Sequence, residues 1–258
     1  MFQIVFIKQV PSSTKIKLDP VSHTLVRSGV KMQANPYDLH AVMAAVEVKK
    51  QLGGKIVAVT MGPPSADAVL RQAIMYGADE GILVSDVLFA GSDTWSTSYV
   101  LSKVINHLGK GDILWFGKQA IDGDTAQVGP GVAAQLGYPQ LTEMTKIVDL
   151  DEVSITVNKR TDFGYNIVKV PYPVVITVCK EANVLRSIAL NDWERATCSS
   201  IQMMNASQLD VDVHKVGLKG SPTRVVGIAV PSVKNETVWL DHPARLGQII
   251  KDLIDNEK

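Results

Sequence analysis

The chain has 258 residues, 46% of them hydrophobic, enough to bury the core of one large domain or of one domain with an extension. Its 26 Lys and Arg balance 26 Asp and Glu, so no net charge draws it to nucleic acid or to an anionic membrane surface. Cys179 and Cys198 are its two cysteines, without a CxxC pair, which excludes a cysteine-ligated iron–sulfur cluster within this chain and suits a reducing cytoplasm.

Ile4 to Ile7 is a short apolar strand, too short for a signal peptide, and no stretch approaches the ~18 consecutive apolar residues of a membrane span. Lys8-Gln-Val-Pro11 follows at the strand's carboxyl end, where parallel sheets bind ligands. Lys8 there is either a solvated charge or a contact for a phosphate or another ligand oxygen. Ser12 to Met32 is polar, with turn signals at Asp19-Pro20 and Ser28-Gly29, and suits a small hairpin. Asn35-Pro-Tyr-Asp38 leads into a helix over 39–52, where Ala41, Ala44, Ala45 and Val48 recur at helical spacing, with Asn35 or Asp38 as its cap. Lys55 to Met61 is a second buried strand closed by Gly62-Pro-Pro64, and a helix starting at Ser65 or Asp67 runs through Tyr76 to a stop at Gly77. The junction Thr60-Met-Gly-Pro-Pro64 is either a plain turn or an anion site. Gly81 to Val84 is a third strand, and Gly91 to Thr97 opens a helix ending near Leu108, with Ser92, Asp93 and Thr94 competing for its cap. His107 closes that helix, where partial positive charge is favourable, and is not expected to be a ligand.

From Ile113 to Pro130 the chain reads as a strand, a tight polar loop and the first turns of a helix. Ile113 to Phe116 is the continuous apolar run of a central strand, ended by Gly117. Asp124 or Thr125 is placed to cap the helix, whose free N–H groups and positive dipole end favour a phosphate, while Gly123 and Gly129 leave room for a ligand to approach the backbone. Asp122 and Asp124 would repel a phosphate unless they face away as caps. On residue types alone a capped turn and a nucleotide loop both stand, because the stretch is neither a Walker A loop nor a GxGxxG fingerprint. The helix ends near Leu136-Gly137. Leu150 to Lys159 and Asn166 to Val170 then alternate like antiparallel strands around a turn at Thr161 to Gly164, and Val174 to Val178 is another apolar strand. This order predicts an α/β fold with a doubly wound, mostly parallel sheet and an antiparallel edge hairpin. Ser187 to Asp210 is polar with no strong period, and Trp193 within it is either an exposed anchor or packed underneath. Gly217 to Thr223 is a breaker, 225–230 is extended and apolar, and Asp241 to Ile254 is an amphipathic helix with Leu246, Ile249, Ile250 and Leu253 on one side and Asp241 as cap. No catalytic triad, HExxH helix or paired carboxylate stands out, so a cofactor must supply any chemistry.

Gly117-Lys-Gln-Ala-Ile-Asp-Gly-Asp-Thr-Ala-Gln-Val-Gly-Pro130 resembles the nucleotide loop of the beta subunit of electron transfer flavoproteins. Its Asp-Gly-Asp-Thr-Ala-Gln-Val-Gly-Pro form is similar to the electron-bifurcating subset, which holds a whole FAD where other members hold AMP. The resemblance covers most of residues 1–230 and implies cofactor contacts at Gly117, Gln119, Asp122, Gly123, Asp124, Thr125, Ala126, Gln127 and Val128. Ile7-Lys-Gln-Val10 is similar to the family's opening Val-Lys-x-Val, which implies contacts at Lys8 and at the backbone of Phe6, beside the adenine. Asn35-Pro-Tyr-Asp38 resembles the family's adenosine-pocket segment and adds Asn35, Tyr37 and Asp38. Thr60, Met61, Gly62 and Pro63 resemble the pocket wall of members that accept NAD(H). Asp93 and Thr94 fall in a stretch similar to one in bifurcating relatives.

The resemblance further implies a nucleotide-binding core over 1–185, and a partner-recognition loop and C-terminal arm over 186–258 that contact an alpha subunit. Relatives usually carry a basic segment after an Arg for which Arg186 is the candidate, yet Ala189 to Arg195 is not basic. Such a departure is expected if the chain docks a lactate-type 2-hydroxyacid dehydrogenase rather than an acyl-CoA dehydrogenase; loop drift without a change of partner reads equally well. Gly220-Ser-Pro-Thr223 is similar to the start of the arm that wraps the alpha subunit, although a homodimer would also cover an apolar arm. The implied activity is hydride exchange between FAD and NAD(H), with electrons passed between ferredoxin and a flavin-dependent dehydrogenase. A non-bifurcating subunit holding AMP and a non-redox nucleotide sensor are the alternatives.

Overall fold

Runs of Ile, Val, Leu and Phe with few polar interruptions form strands that bury both faces, as central strands of a parallel sheet must. In the computed structural model, which describes residues 1–12, 31–226, 239–240 and 242–256, the elements are β1 (Phe2–Phe6), β2 (Gln9–Pro11), β3 (Met32–Ala34), α1 (Pro36–Leu52), β4 (Lys55–Met61), α2 (Asp67–Tyr76), β5 (Glu80–Val84), α3 (Thr94–His107), β6 (Ile113–Gly117), α4 (Val128–Leu136), β7 (Gln140–Leu150), β8 (Ser154–Thr161), β9 (Gly164–Pro171), β10 (Val174–Val178), α5 (Leu190–Cys198), β11 (Ile201–Met204), α6 (Gly217–Gly220) and α7 (Ala244–Asn256). The chain divides into one unit over Met1–Val225 and a second over Val226–Lys258.

Nine strands form one sheet in the order β11-β5-β4-β1-β6-β10-β7-β8-β9. Neighbours from β11 to β7 are parallel, and β7, β8 and β9 form the antiparallel edge. The winding reverses at β1: β4 and β5 are added on one side of it, β6 and β10 on the other. At such a reversal the carboxyl ends of two neighbouring strands, here β1 and β6, flank a crevice.

Helices cover both faces. The alanines of α1 and the apolar side of α2 pack with Val5, Trp115 and Ile176 on one face, while α3 and α4 pack with Ile4, Leu114 and Val175 on the other. Each fully buried Ile or Leu contributes about 1.5–3 kcal/mol. A buried polar chain crosses the centre of the first layer: Trp115 Nε1 donates to Gln3 Oε1 at 2.8 Å and Gln3 Nε2 donates to Ala45 O at 3.1 Å. No helix among the described residues is long and apolar enough to cross a membrane.

Four elements have no counterpart among the sequence expectations, one of them the single-turn α6, which falls where Gly217 to Thr223 reads as a breaker. The mixed polarity of Gln140–Leu150 hides β7, whose pairing is interrupted by register shifts. The polar stretch after Ser187 contains α5 and the four-residue edge strand β11. The hairpin expected over 12–32 lies mostly on residues 13–30, outside those described; at its flanks β2 and β3 pair antiparallel. The extended segment at 227–230, the cap at Asp241 and the side chain of Leu253 also lie outside them, whereas α7 falls where a last helix is expected and exposes Leu246 and Ile250.

Trp115→Phe is expected to lower stability by about 1–3 kcal/mol, because the Gln3 oxygen stays buried without its donor. Adding Gln3→Leu should restore part of that loss; urea unfolding of the single and double variants measures it.

Candidate functional site

The residues following β1, β4, β5 and β6 converge with the first turns of α3 and α4 on a cleft of about 790 Å³. Phe6, Lys8, Asn35, Asp38, Met61, Gly62, Pro63, Asp93, Thr94, Gly117, Gln119, Gly123, Asp124, Thr125, Ala126, Gln127 and Val128 all line it. Tyr37, Thr60 and Asp122 do not. The Tyr37 ring lies under Lys180 Nζ, 4.6 Å from its centroid. Thr60 is buried in β4, and its hydroxyl has no hydrogen-bond partner among the described residues. Asp122 pairs with Lys8 Nζ at 2.8 Å, so that each charge offsets the other at the cleft's edge.

Two side chains at the start of α1 assemble the floor, and neither caps the helix as the sequence suggests. Asn35 occupies the N-cap position, but its Nδ2 donates to Gln119 O at 2.8 Å and its Oδ1 accepts from Ile121 N–H at 3.3 Å. Asp38 accepts from Lys8 N–H at 2.8 Å and Gly117 N–H at 3.1 Å. The helix cap is forgone because these bonds fasten the ends of β1 and β6 and the loop after β6. Gly117 has no room for a side chain: a Cβ there would lie 2.6 Å from Tyr37 Cβ and 2.8 Å from Asp38 N. Burial pushes the Asp38 carboxyl up to about 7, against the opposing pull of bonds from Lys8 N–H, the Asn35 side chain and Gly117 N–H.

The loop after β6 also departs from expectation. Gly123 and Asp124 N–H groups turn back to Ala120 O, and Asp124 and Ala126 both take the left-handed backbone, with φ 54° and 54°. That turn uses up the loop, so the helix begins only at Val128. Neither Asp124 nor Thr125 caps it; Asp124 instead accepts from the Gln119 side chain. α4 therefore opens on the cleft with its N-cap residue, Gln127, making no side-chain cap bond, and its first N–H groups and positive dipole end suit an anion. Gly123 has open space around its Cα, as a close ligand approach requires. Gly129 does not serve that purpose, since a Cβ there would sit 2.9 Å from Thr177 Cγ2; its bareness lets α4 pack on the sheet.

On the opposite wall Asp93 wins the competition to cap α3, accepting from Ser96 N–H at 2.9 Å. Partial burial raises its carboxyl, but bonds from Ser96 and Thr223 outweigh this and hold it below the usual carboxylate range. Thr94 Oγ1 donates to Gln127 Oε1 at 3.0 Å, joining the starts of the two helices. The sequence reading omits Val84, Ser85, Asp86, Phe89, Leu101 and Phe116, which also line the cleft. The strand-end rule applied to β1, β4 and β6 also points to β5 and its Ser85-Asp86; the stacking of Phe6 on Phe116, 4.4 Å between centroids, has no sequence signal.

The electron transfer flavoprotein domain matches residues 22–216. The chain belongs to the electron transfer flavoprotein family, as a beta subunit. It is 44% identical to protein FixA of Sinorhizobium fredii over 243 residues, 92% of this chain and 85% of that protein. It is 41% identical to the electron transfer flavoprotein subunit beta of Thermoanaerobacterium thermosaccharolyticum over 232 residues, 90% of this chain and 88% of that one. The corresponding subunit of Clostridium acetobutylicum is 40% identical over 242 residues, 94% and 93% of the two chains.

Between about pH 4 and 7 the folded chain keeps a proton on Asp38 that the unfolded chain gives up, so this group's contribution to stability is lost as pH rises toward 7. The stability of the native chain relative to Asp38→Asn should therefore fall across that window and level off above it, as read by urea unfolding at several pH values. A difference independent of pH would contradict the buried titration.

Proposed function

We propose that this chain is the beta subunit of an electron-bifurcating electron transfer flavoprotein and that its cleft takes a whole FAD. The observation that carries the reading is a cleft of about 790 Å³ opening on a helix start that no side chain caps. That volume lies in the upper part of the range of about 300–1,000 Å³ typical of cofactor sites. The likeness of Asp122 to Pro130 to the bifurcating subset favours FAD over AMP.

The residues fit such a group. Val128 and Gly129 N–H groups, with the open backbone at Gly123, would receive its phosphates, and the apolar sides of Phe6, Phe116, Val59 and Val84 would shield its rings from water. Lys8, steadied by Asp122, remains half-exposed at the edge, where it would orient a polar edge of the flavin. Met61, Gly62 and Pro63 with Thr94 would border the side open to NAD(H), and Asp93, its carboxylate committed to Ser96 and Thr223, would hold that wall in place. Tyr37, Thr60 and Asp122 would support these contacts from behind. When bound, FAD supplies hydride exchange with NAD(H) and onward electron transfer, and the chain supplies orientation and electrostatics.

In this reading residues 1–185 hold the nucleotide and 186–258 meet the alpha subunit and a flavin-dependent dehydrogenase of the lactate or acyl-CoA type, with ferredoxin served through the complex in the cytoplasm. The exposed Leu190 and Trp193 of α5 support docking on this segment. Arg186 supports it indirectly, because its bonds to Asp192 and to Met75 O, both at 2.6 Å, anchor the segment to α2.

Co-purification with its alpha subunit, followed by extraction of bound nucleotides, tests the proposal. Two FAD per alpha–beta pair are expected. AMP with a single FAD would overturn it and leave a simple electron carrier.

A further inference from the structure

The wall of the cleft formed by 90–97 does not stand on its own segment. Residues 215–223, more than a hundred positions away, are fastened along it. Leu218 N–H donates to Ala90 O at 3.1 Å, Gly217 N–H to Ser92 Oγ at 3.0 Å, and Ser96 Oγ to Lys215 O at 3.0 Å. Asp93 N–H donates to Ser221 Oγ at 2.8 Å, and Asp93 Oδ2 accepts from both Thr223 N–H at 2.9 Å and Thr223 Oγ1 at 2.8 Å. Ala90 to Thr94 and Thr97 line the cleft itself. Asp93 thus serves two elements with one carboxylate, capping α3 through Oδ1 and clasping Thr223 through Oδ2. Thr223 is exposed and stands just before Val225, the last residue of the first unit.

We infer that nucleotide in the cleft and the docking of residues 215–223 stabilise each other through the Asp93–Thr223 clasp. The inference rests on the cleft being the nucleotide site. A clasp at the surface, held by bonds open to water on one side, belongs to the part of a fold that opens locally at low cost. A ligand that binds only the ordered wall must then favour the closed clasp, and closing the clasp must raise affinity for the ligand by the same factor. Thr223 is in this sense a positioning residue for a site that it does not touch, and the chain leading into 226–258 leaves the first unit at a point sensitive to cleft occupancy.

Titrating FAD, and in parallel AMP, into the nucleotide-free full-length chain tests this. Thr223→Val, which keeps the backbone bond and removes the hydroxyl, is expected to weaken binding by about fivefold or more. Thr223→Ser should stay within about twofold of the native chain, the ordinary scatter between independent sites. In the native chain, bound nucleotide should slow hydrogen exchange at the Gly217, Leu218 and Thr223 amides but not in β8 and β9. Unchanged exchange at those three amides in the nucleotide-bound native chain would overturn the coupling even if the valine variant failed to fold. Native binding that Thr223→Val leaves intact would overturn the coupling alone, whereas a native chain that takes up neither nucleotide would remove the reading of the cleft and the coupling with it.

Discussion

The cleft depends on a buried clamp at the start of α1. Asn35 and Asp38 together hold the backbone of Lys8, Gly117, Gln119 and Ile121, so that one helix start fixes the ends of two central strands and the loop that follows the second. The neutral bonds of Asn35 are each worth about 0.5–1.5 kcal/mol and those of an ionised Asp38 about 1.5–3, and losing one partner leaves a buried polar group uncompensated. The clamp closes only because Gly117 has no side chain to separate β6 from Tyr37 and Asp38. A strand reversal makes a crevice in any sheet of this type; this clamp gives the crevice a fixed floor.

The floor and the wall at α3 are built on the same plan with opposite electrostatics. On one side a buried carboxyl, Asp38, is pushed up by desolvation to about 7. On the other a more exposed carboxyl, Asp93, is held down by the groups that donate to it. Both join segments remote in sequence, and both leave α4 with its uncapped start facing the space between them. The acidic residues that would oppose an anion there are otherwise engaged, Asp122 by Lys8 and Asp124 by Gln119.

Much of this was legible because it follows local rules. Apolar runs of four or five residues bounded by breakers, such as Ile113 to Phe116 and Val174 to Val178, suit buried strands by their length, and alternation with helices favours a doubly wound sheet. The strand-end rule points to Lys8, Met61 and Gly117, and the family resemblance adds most of the other candidates; seventeen of the twenty line one cleft. What the residues did not reveal depends on tertiary partners. Asn35, Asp38 and Asp124 have the side chains of helix caps, yet remote backbone groups or a neighbouring amide claim them. Gly129 looked like room for a ligand and is room for Thr177. β7 is a strand because β10 and β8 pair with it on either side and β11 because β5 offers it an edge; the mixed polarity of β7 and the four-residue length of β11 carry no period that would announce them.

The proposed function requires the nucleotide of this cleft to be a flavin that meets NAD(H). Anaerobic titration of the assembled alpha–beta pair with NADH, followed by the visible absorbance of flavin, tests that most directly. NADH is expected to bleach flavin bound to this subunit, and the bleaching to be lost when its loop is altered by Gly123→Val, where a side chain would enter the open approach. A pair whose flavin absorbance NADH leaves unchanged would contradict it.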